Sequence, residues 1–311
     1  MPQITAIVPC YNTARYLQAA LESVLIQSVT DWEIIVVDDG STDSTRQLVE
    51  SLIPRFGGRL HYVYQTNRGL PAARNTAIRH AKSELIALLD ADDVWLEHRL
   101  ERSMAAMNAK PGIGLTHGRV ARIDTEGVVV GFPAPALPIF LSGSIARNIY
   151  TRRAHLLCPT VTFRRSVAEA AGLFDERMKS TEDRDLWFRI AERCEASYID
   201  EVIAHYRVSP NSMSRDRDRM LHWQTFFNEK HRQSPSCGTF AFREAMATAY
   251  RERGDSLFRE DLPLSIRSYW QAVLYHPTSY SNLYMLFRAL AEPIIARSGY
   301  RSQFPASGDA R

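Results

Sequence analysis

Residues Ser83 to Val94 read S-E-L-I-A-L-L-D-A-D-D-V, and the fold turns on this stretch. Leu85 to Leu89 is an unbroken apolar run of strand length, the pattern of a strand buried on both faces of a parallel sheet. Periodicity alone would also suit a buried helix. The run ends in acid, with Asp90, Asp92 and Asp93 where the chain leaves the strand. In open α/β sheets the ligand crevice lies outside the carboxyl ends of the strands. Carboxylates crowded there repel one another unless a cation offsets them, and hard oxygen ligands suit Mg²⁺ or Mn²⁺. The stretch therefore predicts a divalent-metal site at a sheet edge.

Upstream, the same alternation of apolar run and polar turn recurs. Ile4 to Val8 reads as a first strand and Pro9 to Thr13 as the turn after it. The following helix carries Leu17, Ala20, Leu21, Val24 and Leu25 at three- and four-residue steps, with Thr13 as its cap. Glu33 to Val37 is a second strand ending in Asp38, Asp39 and Gly40. Ser41 to Asp43 cap a helix marked by Leu48, Val49 and Leu52 and stopped before Pro54. Leu60 to Gln65 is a third strand, and Gly69 and Pro71 punctuate the start of a helix running to about Lys82. Strands alternating with helices at this spacing predict βαβ units and a parallel sheet. One acidic turn suits a helix cap as well as a site, whereas two acid clusters after two strands of one sheet favour a site. No G-x-G-x-x-G follows a strand and no G-x-x-x-x-G-K-[ST] occurs, which argues against a dinucleotide enzyme and a P-loop ATPase.

Downstream, Trp95 to Met107 reads as helix, and Gly112 to Ile123 and Val128 to Phe132 as strands joined by a D-T-E-G turn. The proline-rich segment Pro133 to Leu141 is a loop or lid, with a buried connection the equal alternative. Thr160 to Arg164 reads as a strand and Val167 to Ala171 as a short helix ended by Gly172. In K-S-T-E-D-R-D-L-W-F-R-I-A, Lys179 to Ala191, Thr181 can cap a helix with the apolar stripe Leu186, Trp187, Ile190 and Ala191. Glu182, Asp183 and Asp185 crowd its first turn, where the helix dipole stabilises anions. That alone accounts for acids there, and a carboxylate so held is also well placed as a general base. Ser197 to Asp200 and Val202 to Tyr206 read as short strands leading into H-Y-R-V-S-P-N-S-M-S-R-D. There His205, Arg207, Ser212 and Ser214 could meet a phosphate or a metal, although a satisfied core histidine is the commoner case. From about Arg215 strand signals give way to helical periodicity over Met220 to Phe227, Phe240 to Tyr250, Leu264 to Tyr275 and Leu283 to Leu290. The expected division is thus an α/β domain over 1–214 and a helical region over 215–311. Tyr269, Ala272 and Pro277 have the spacing of one tetratricopeptide unit, below the count an array needs. The tail from Ser302 is expected to fray.

At 311 residues the chain is long enough for a sizeable core, and a net charge of +3, with 38 basic residues spread along the chain apart from clusters near Arg147 to Arg153 and Arg215 to Arg219, gives no nucleic-acid signature. Cys10, Cys158, Cys194 and Cys237 are widely spaced and read as free thiols of a reducing compartment. With neither a signal peptide nor a membrane span in the sequence, the expected location is cytoplasmic, with peripheral contact at the inner membrane face. The loop at Pro133 to Leu141, with Arg147, Arg152 and Arg153 nearby, is the candidate surface for that contact.

Taken together, V-P-C-Y-N at Val8 to Asn12, V-V-D-D-G-S-T-D at Val36 to Asp43, G-L-P-A-A-R-N at Gly69 to Asn75, L-L-D-A-D-D at Leu88 to Asp93 and T-E-D at Thr181 to Asp183 resemble glycosyltransferase family 2. The resemblance covers roughly Ile4 to Ser214, and its specificity lies in the order and spacing of the motifs. It implies the α/β fold called GT-A, a Rossmann-like mixed sheet flanked by helices, here with a C-terminal helical appendage. It implies an inverting transferase using a nucleotide diphosphate sugar, most plausibly a UDP-sugar, on a glycan or lipid-linked saccharide in polysaccharide biosynthesis. By that resemblance Pro9, Tyr11, Asn12, Asp39, Arg74 and Asp90 would bind the donor. Asp92 would ligate Mn²⁺ or Mg²⁺ with His205 as a further ligand, and Asp183 would be the catalytic base. The Q-x-x-R-W element and membrane helices of the processive synthases are lacking, which speaks against polymer synthesis. A nucleotidyltransferase would also pair acids with Mg²⁺ but would carry a glycine-rich basic loop near the first strand, unlike V-P-C-Y-N-T-A-R. A nucleotide-sugar-binding scaffold without turnover is the alternative from outside the enzymes.

Overall fold

The computed structural model describes residues 1–132, 141–209 and 216–297. The loop over 133–140, Ser212, Ser214 and the tail from Ser302 lie outside the described residues. The chain divides into two compact units, Met1–Arg215 and Asp216–Arg311.

The first unit is built on one mixed sheet. Strands β1 (Ile4–Cys10), β2 (Trp32–Asp38), β3 (Leu60–Tyr64) and β4 (Leu85–Leu88) lie side by side in the order β3-β2-β1-β4, all parallel. Every residue of β1, β2 and β4 is buried, as the unbroken apolar runs require of strands covered on both faces. The helices α1 (Ala14–Leu25), α2 (Thr45–Leu52) and α3 (Leu70–His80) make the crossovers. Leu17, Ala20, Leu21 and Val24 of α1 are buried at the spacing expected of a core-facing stripe.

Beyond β4 the sheet changes direction. A two-residue strand β5 (Val94–Trp95) precedes α4 (Arg99–Asn108), and the long β6 (Ile113–Ile123) turns back through β7 (Val129–Gly131). Then come α5 (Ala146–Tyr150), a 3₁₀ turn over Cys158–Thr160, β8 (Thr162–Arg164), α6 (Arg165–Ala170), α7 (Glu182–Ala191) and β9 (Glu195–Arg207). The full order is β3-β2-β1-β4-β8-β6-β9-β5, with β7 beside β6. β8 runs antiparallel to β4 and to β6, and β6 and β9 are parallel. One sheet edge therefore gathers the carboxyl ends of β1, β2, β4 and β9 and the start of β8.

Several local expectations give way. Trp95 is not helical: it pairs with Ala204 of β9, and its backbone N–H donates to Ser23 Oγ at 3.1 Å. The strands expected over 197–200 and 202–206 are one strand, whose pairing with β6 shifts register at Gly118 and Arg119. The strand expected from Thr160 begins at Thr162, after the 3₁₀ turn. Thr13 and Thr181 hold N-cap positions but make no side-chain capping bond, and Thr181 lies in the left-handed region at φ 59°. For α2 it is Asp43 that accepts from Thr45 N at 2.9 Å, while Ser44 at the N-cap makes no side-chain capping bond.

The second unit consists, among described residues, of α8 (Arg217–Lys230), α9 (Gly238–Leu257), α10 (Leu262–Tyr275) and α11 (Tyr280–Arg297). Asp216 and Asp261 cap α8 and α10 through Arg219 N and Leu264 N, each at 3.0 Å. Tyr269, Leu286 and Ala289 form a buried core there. No helix among the described residues is long and apolar enough to cross a membrane.

Candidate active site

The acid turn follows β4 directly. Asp93 N donates to Asp90 O at 3.0 Å, which folds the turn back on itself. β9 then clamps it: Arg207 N donates to Asp93 Oδ1 at 2.8 Å, Arg207 Nε to Asp92 O at 2.7 Å, and Arg207 Nη1 to Asp124 O at 2.7 Å. Asp93 is 1% exposed and its Oδ2 has no hydrogen-bond partner. Burial, with Asp90 beside it, pushes the Asp92 carboxyl up to about 6. Burial and the charges of Asp92 and Asp90 raise Asp93 well above the carboxylate range. Negative charge here exceeds what Arg207 and Arg74 balance.

Arg74, 2% exposed on α3, joins this turn to the start of α7. Its Nη2 donates to Asp90 Oδ1 at 2.7 Å and its Nη1 to Glu182 Oε1 at 2.9 Å. Burial works against its charge, but the carboxylates of Asp90, Glu182 and Asp183 hold the guanidinium charged beyond its ordinary range. The Glu182 carboxyl is raised by burial despite Arg74, with Asp183 and Asp90 adding to the rise. Next to it, Asp183 is partly exposed; its Oδ1 accepts from Arg184 N at 2.7 Å and its Oδ2 from Cys158 Sγ at 3.6 Å. Asp185, fully buried, is tied to Arg189. The metal-side acids and the acid of the T-E-D motif, about ninety positions apart in the sequence, thus meet through one buried guanidinium.

The turns after β1 and β2 interlock beside these acids. Asn12, left-handed at φ 53°, accepts through Oδ1 from Thr42 N at 2.8 Å, and its own N–H donates to Ser41 Oγ at 2.9 Å. Asp39 is buried and accepts from Gln65 Nε2 at 2.7 Å, Arg68 N at 2.9 Å and Gly69 N at 2.8 Å. Asp38 does the same for Tyr62 Oη and Ser41 N, at 2.7 and 2.8 Å. Pro9 lies in β1 beyond the last β4 partner, where a missing N–H is tolerated, and Tyr11 is half exposed at the rim.

Arg74 is a buried bridge between acids, with its Nε left without a hydrogen-bond partner. Arg207 spends its guanidinium on backbone carbonyls and on the Tyr16 ring, 4.6 Å from its centroid. His205 sits opposite Val94, the chain neighbour of Asp93, in the ladder, and burial and Arg207 lower its pKa. Neighbouring strand residues point to opposite faces, and it is Tyr206 whose hydroxyl is raised by burial and by Asp93, Asp90 and Asp92.

Among the described residues no three His, Cys, Asp or Glu side chains converge as a complete metal cage. The donor set nevertheless fits a hard cation that keeps its waters and takes phosphate oxygens, since such an ion needs only one or two carboxylates. The orphaned Asp93 Oδ2 and the raised Asp92 mark a place where positive charge is lacking. Sequence reasoning missed Cys158 and Tyr206. A lone cysteine in a proline turn carries no pattern, and only the sheet order brings the start of β8 to this edge.

Residues 5–171 match the family described as Glycosyl transferase family 2. An uncharacterized glycosyltransferase of Nostoc sp. is 30% identical over 209 residues, 66% of this chain and 65% of that protein. The Escherichia coli protein named UDP-Glc:alpha-D-GlcNAc-diphosphoundecaprenol beta-1,3-glucosyltransferase WfgD is 30% identical over 220 residues, 70% of this chain and 82% of its own. An uncharacterized Rickettsia felis glycosyltransferase is matched over 33% of its length, so the chain spans between one third and two thirds of several of these relatives. Among solved structures, Staphylococcus aureus TarS 1-349 in complex with UDP-GlcNAc superimposes with a TM-score of 0.66 at 19% identity, covering 97% of this chain and 94% of TarS 1-349. Mannosyltransferase PcManGT from Pyrobaculum calidifontis, in complex with GDP-Man and Mn²⁺, gives 0.65 at 20% identity over 96% and 82%. At that identity the structures speak to the fold, which is the GT-A arrangement of a mixed sheet flanked by helices.

Proposed function

The chain belongs to glycosyl transferase family 2, and we propose that it transfers a sugar from a nucleoside diphosphate sugar, in first place a UDP-sugar, to a hydroxyl of a glycan or lipid-linked saccharide. The observation that supports this reading is the junction at Arg74, which ties Asp90 of the acid turn to Glu182, the neighbour of Asp183. In support, TarS structures hold UDP and UDP-GlcNAc, and WfgD is named for a UDP-Glc donor and a diphosphoundecaprenol-linked acceptor.

In this reading Asp92, with Asp90 beside it, would hold Mn²⁺ or Mg²⁺. Bound there, the cation supplies Lewis-acid stabilisation of the departing diphosphate, worth several kcal/mol. Tyr11 at the rim would face the nucleobase, and the interlocked turns at Asn12 and Asp39 would hold the pocket's shape. Asp39 already accepts three bonds, so its part is to fix the Gln65–Gly69 segment around the nucleoside. Asp183 takes the proton of the acceptor hydroxyl as the oxygen attacks the anomeric carbon. The bond to the phosphate oxygen breaks with its electron pair leaving on the diphosphate, so the anomeric configuration inverts. Residues 1–214 carry this chemistry in the proposed reading.

Replacing Asp183 by Asn separates base from helix cap. Turnover of UDP-glucose, UDP-GlcNAc or GDP-mannose should fall roughly a hundredfold or more while donor binding survives. A helix-capping role alone would cost about 1 kcal/mol of stability and leave turnover intact.

A further inference from the structure

Cys158 opens the 3₁₀ turn before β8, 7% exposed, with its sulfur between two groups of the site. Arg74 Nη2 lies 3.4 Å from Sγ, and Asp183 Oδ2 lies 3.6 Å from it. An arginine N–H can only donate, so the sulfur accepts from Arg74 and its own proton is left for Asp183. The chain of donors then runs one way, from Arg74 through the thiol to the carboxylate. Burial, outweighing the pull of Arg74, with Asp90, Asp183 and Glu182 adding to it, raises the thiol well above its ordinary range, so the proton stays on sulfur.

The turn that carries the thiol is fixed from behind. Trp95 Nε1 donates to Pro159 O at 2.8 Å and Arg99 Nε to the same oxygen at 3.3 Å. Arg99 also reaches Val161 O at 2.7 Å and Thr162 Oγ1 at 2.6 Å. Arg99 is fully buried, and nearly its whole guanidinium is spent on this turn and Ser103. Trp95 and Arg99 follow directly on the acid turn, so the segment that leaves the Asp92 side also sets where the sulfur stands. With Arg184 N on Oδ1, both oxygens of Asp183 are held.

We propose that Cys158 is a positioning residue for Asp183, its thiol fixing the rotation of the carboxylate that receives the acceptor proton. This rests on the reading of Asp183 as the base. An S–H···O contact is weak, so its effect falls on alignment more than on stability.

The test compares Cys158→Ala, Cys158→Ser and Asp183→Asn in the full chain, with UDP-glucose, UDP-GlcNAc and GDP-mannose as donors and Mn²⁺ present. Cys158→Ala should lower kcat about tenfold, the scale of a small misalignment, with donor KM within about twofold. Cys158→Ser, whose hydroxyl accepts and donates like the thiol, should recover most of the loss. Wild-type kcat in Cys158→Ala, or no recovery in Cys158→Ser, overturns the proposal. The S–H stretching band that disappears in Cys158→Ala gives a readout independent of turnover. It should move to higher frequency in Asp183→Asn, where the acceptor loses its charge, and an unmoved band also overturns the proposal. Full turnover in Asp183→Asn would instead strike the reading of Asp183 as base, while the infrared band still reports on the contact.

Discussion

Asp92 sits in a place that favours its proton. Its folded-state pKa of about 6 lies above the ordinary 3.8, so the metal-free folded chain binds extra protons between those values. Its stability then falls as pH rises through that window. A divalent cation competes with the proton and supplies the missing positive charge. Mn²⁺ should therefore raise the thermal midpoint more at pH 7.5 than at pH 5, and Asp92→Ala should abolish the difference. Equal shifts at both pH values would place the cation elsewhere. The resemblance marks Arg74 as a donor ligand, and the structure buries it between Asp90 and Glu182.

The turn after β2 depends on close backbone approach. Gly40 has φ +80°, and a Cβ there would lie 2.8 Å from Asn67 N. Gly40→Ala should cost about 1–3 kcal/mol and weaken UDP binding by displacing the segment that Asp39 holds. Denaturant unfolding and calorimetry would read both effects. On β6, His117 is 1% exposed with Nε2 donating to Leu141 O at 2.8 Å, and burial lowers its pKa to about 4. A histidine so depressed contributes stability that is present above pH 6.5 and is lost as pH falls toward 4, at most about 3 kcal/mol. Unfolding free energies of His117→Asn should show a flatter dependence across that window. The elements from β1 to β4 were legible because continuous apolar runs and one-sided stripes are local signals. β5 was not, since two residues become a strand only where Ala204 and His205 are there to pair with them. The cap at Thr181 failed because its backbone is left-handed there, which no side-chain pattern encodes. Tyr206 was hidden behind His205 for a similar reason: bulges shift the β9 register, and the alternation of faces cannot be phased without the partner strand.

The molecule separates its signals by unit. Acid turns and motifs fall in Met1–Arg215, and from Arg217 on the described elements are helices. In α9, a Cβ at Gly254 would lie 2.5 Å from Tyr269 Cε1. Gly254→Ala should therefore destabilise the helical unit by roughly 1–3 kcal/mol and leave UDP binding unchanged, a pair of results that melting and calorimetry separate. The proposed transfer requires a nucleoside diphosphate held with a divalent cation at the acid turn. Calorimetric titration of UDP into the protein, with Mn²⁺ and then with chelator, and again with Asp92→Ala, tests this most directly. Binding that requires Mn²⁺ and disappears in Asp92→Ala is the predicted result. UDP bound equally well with chelator, or undiminished in Asp92→Ala, would contradict it.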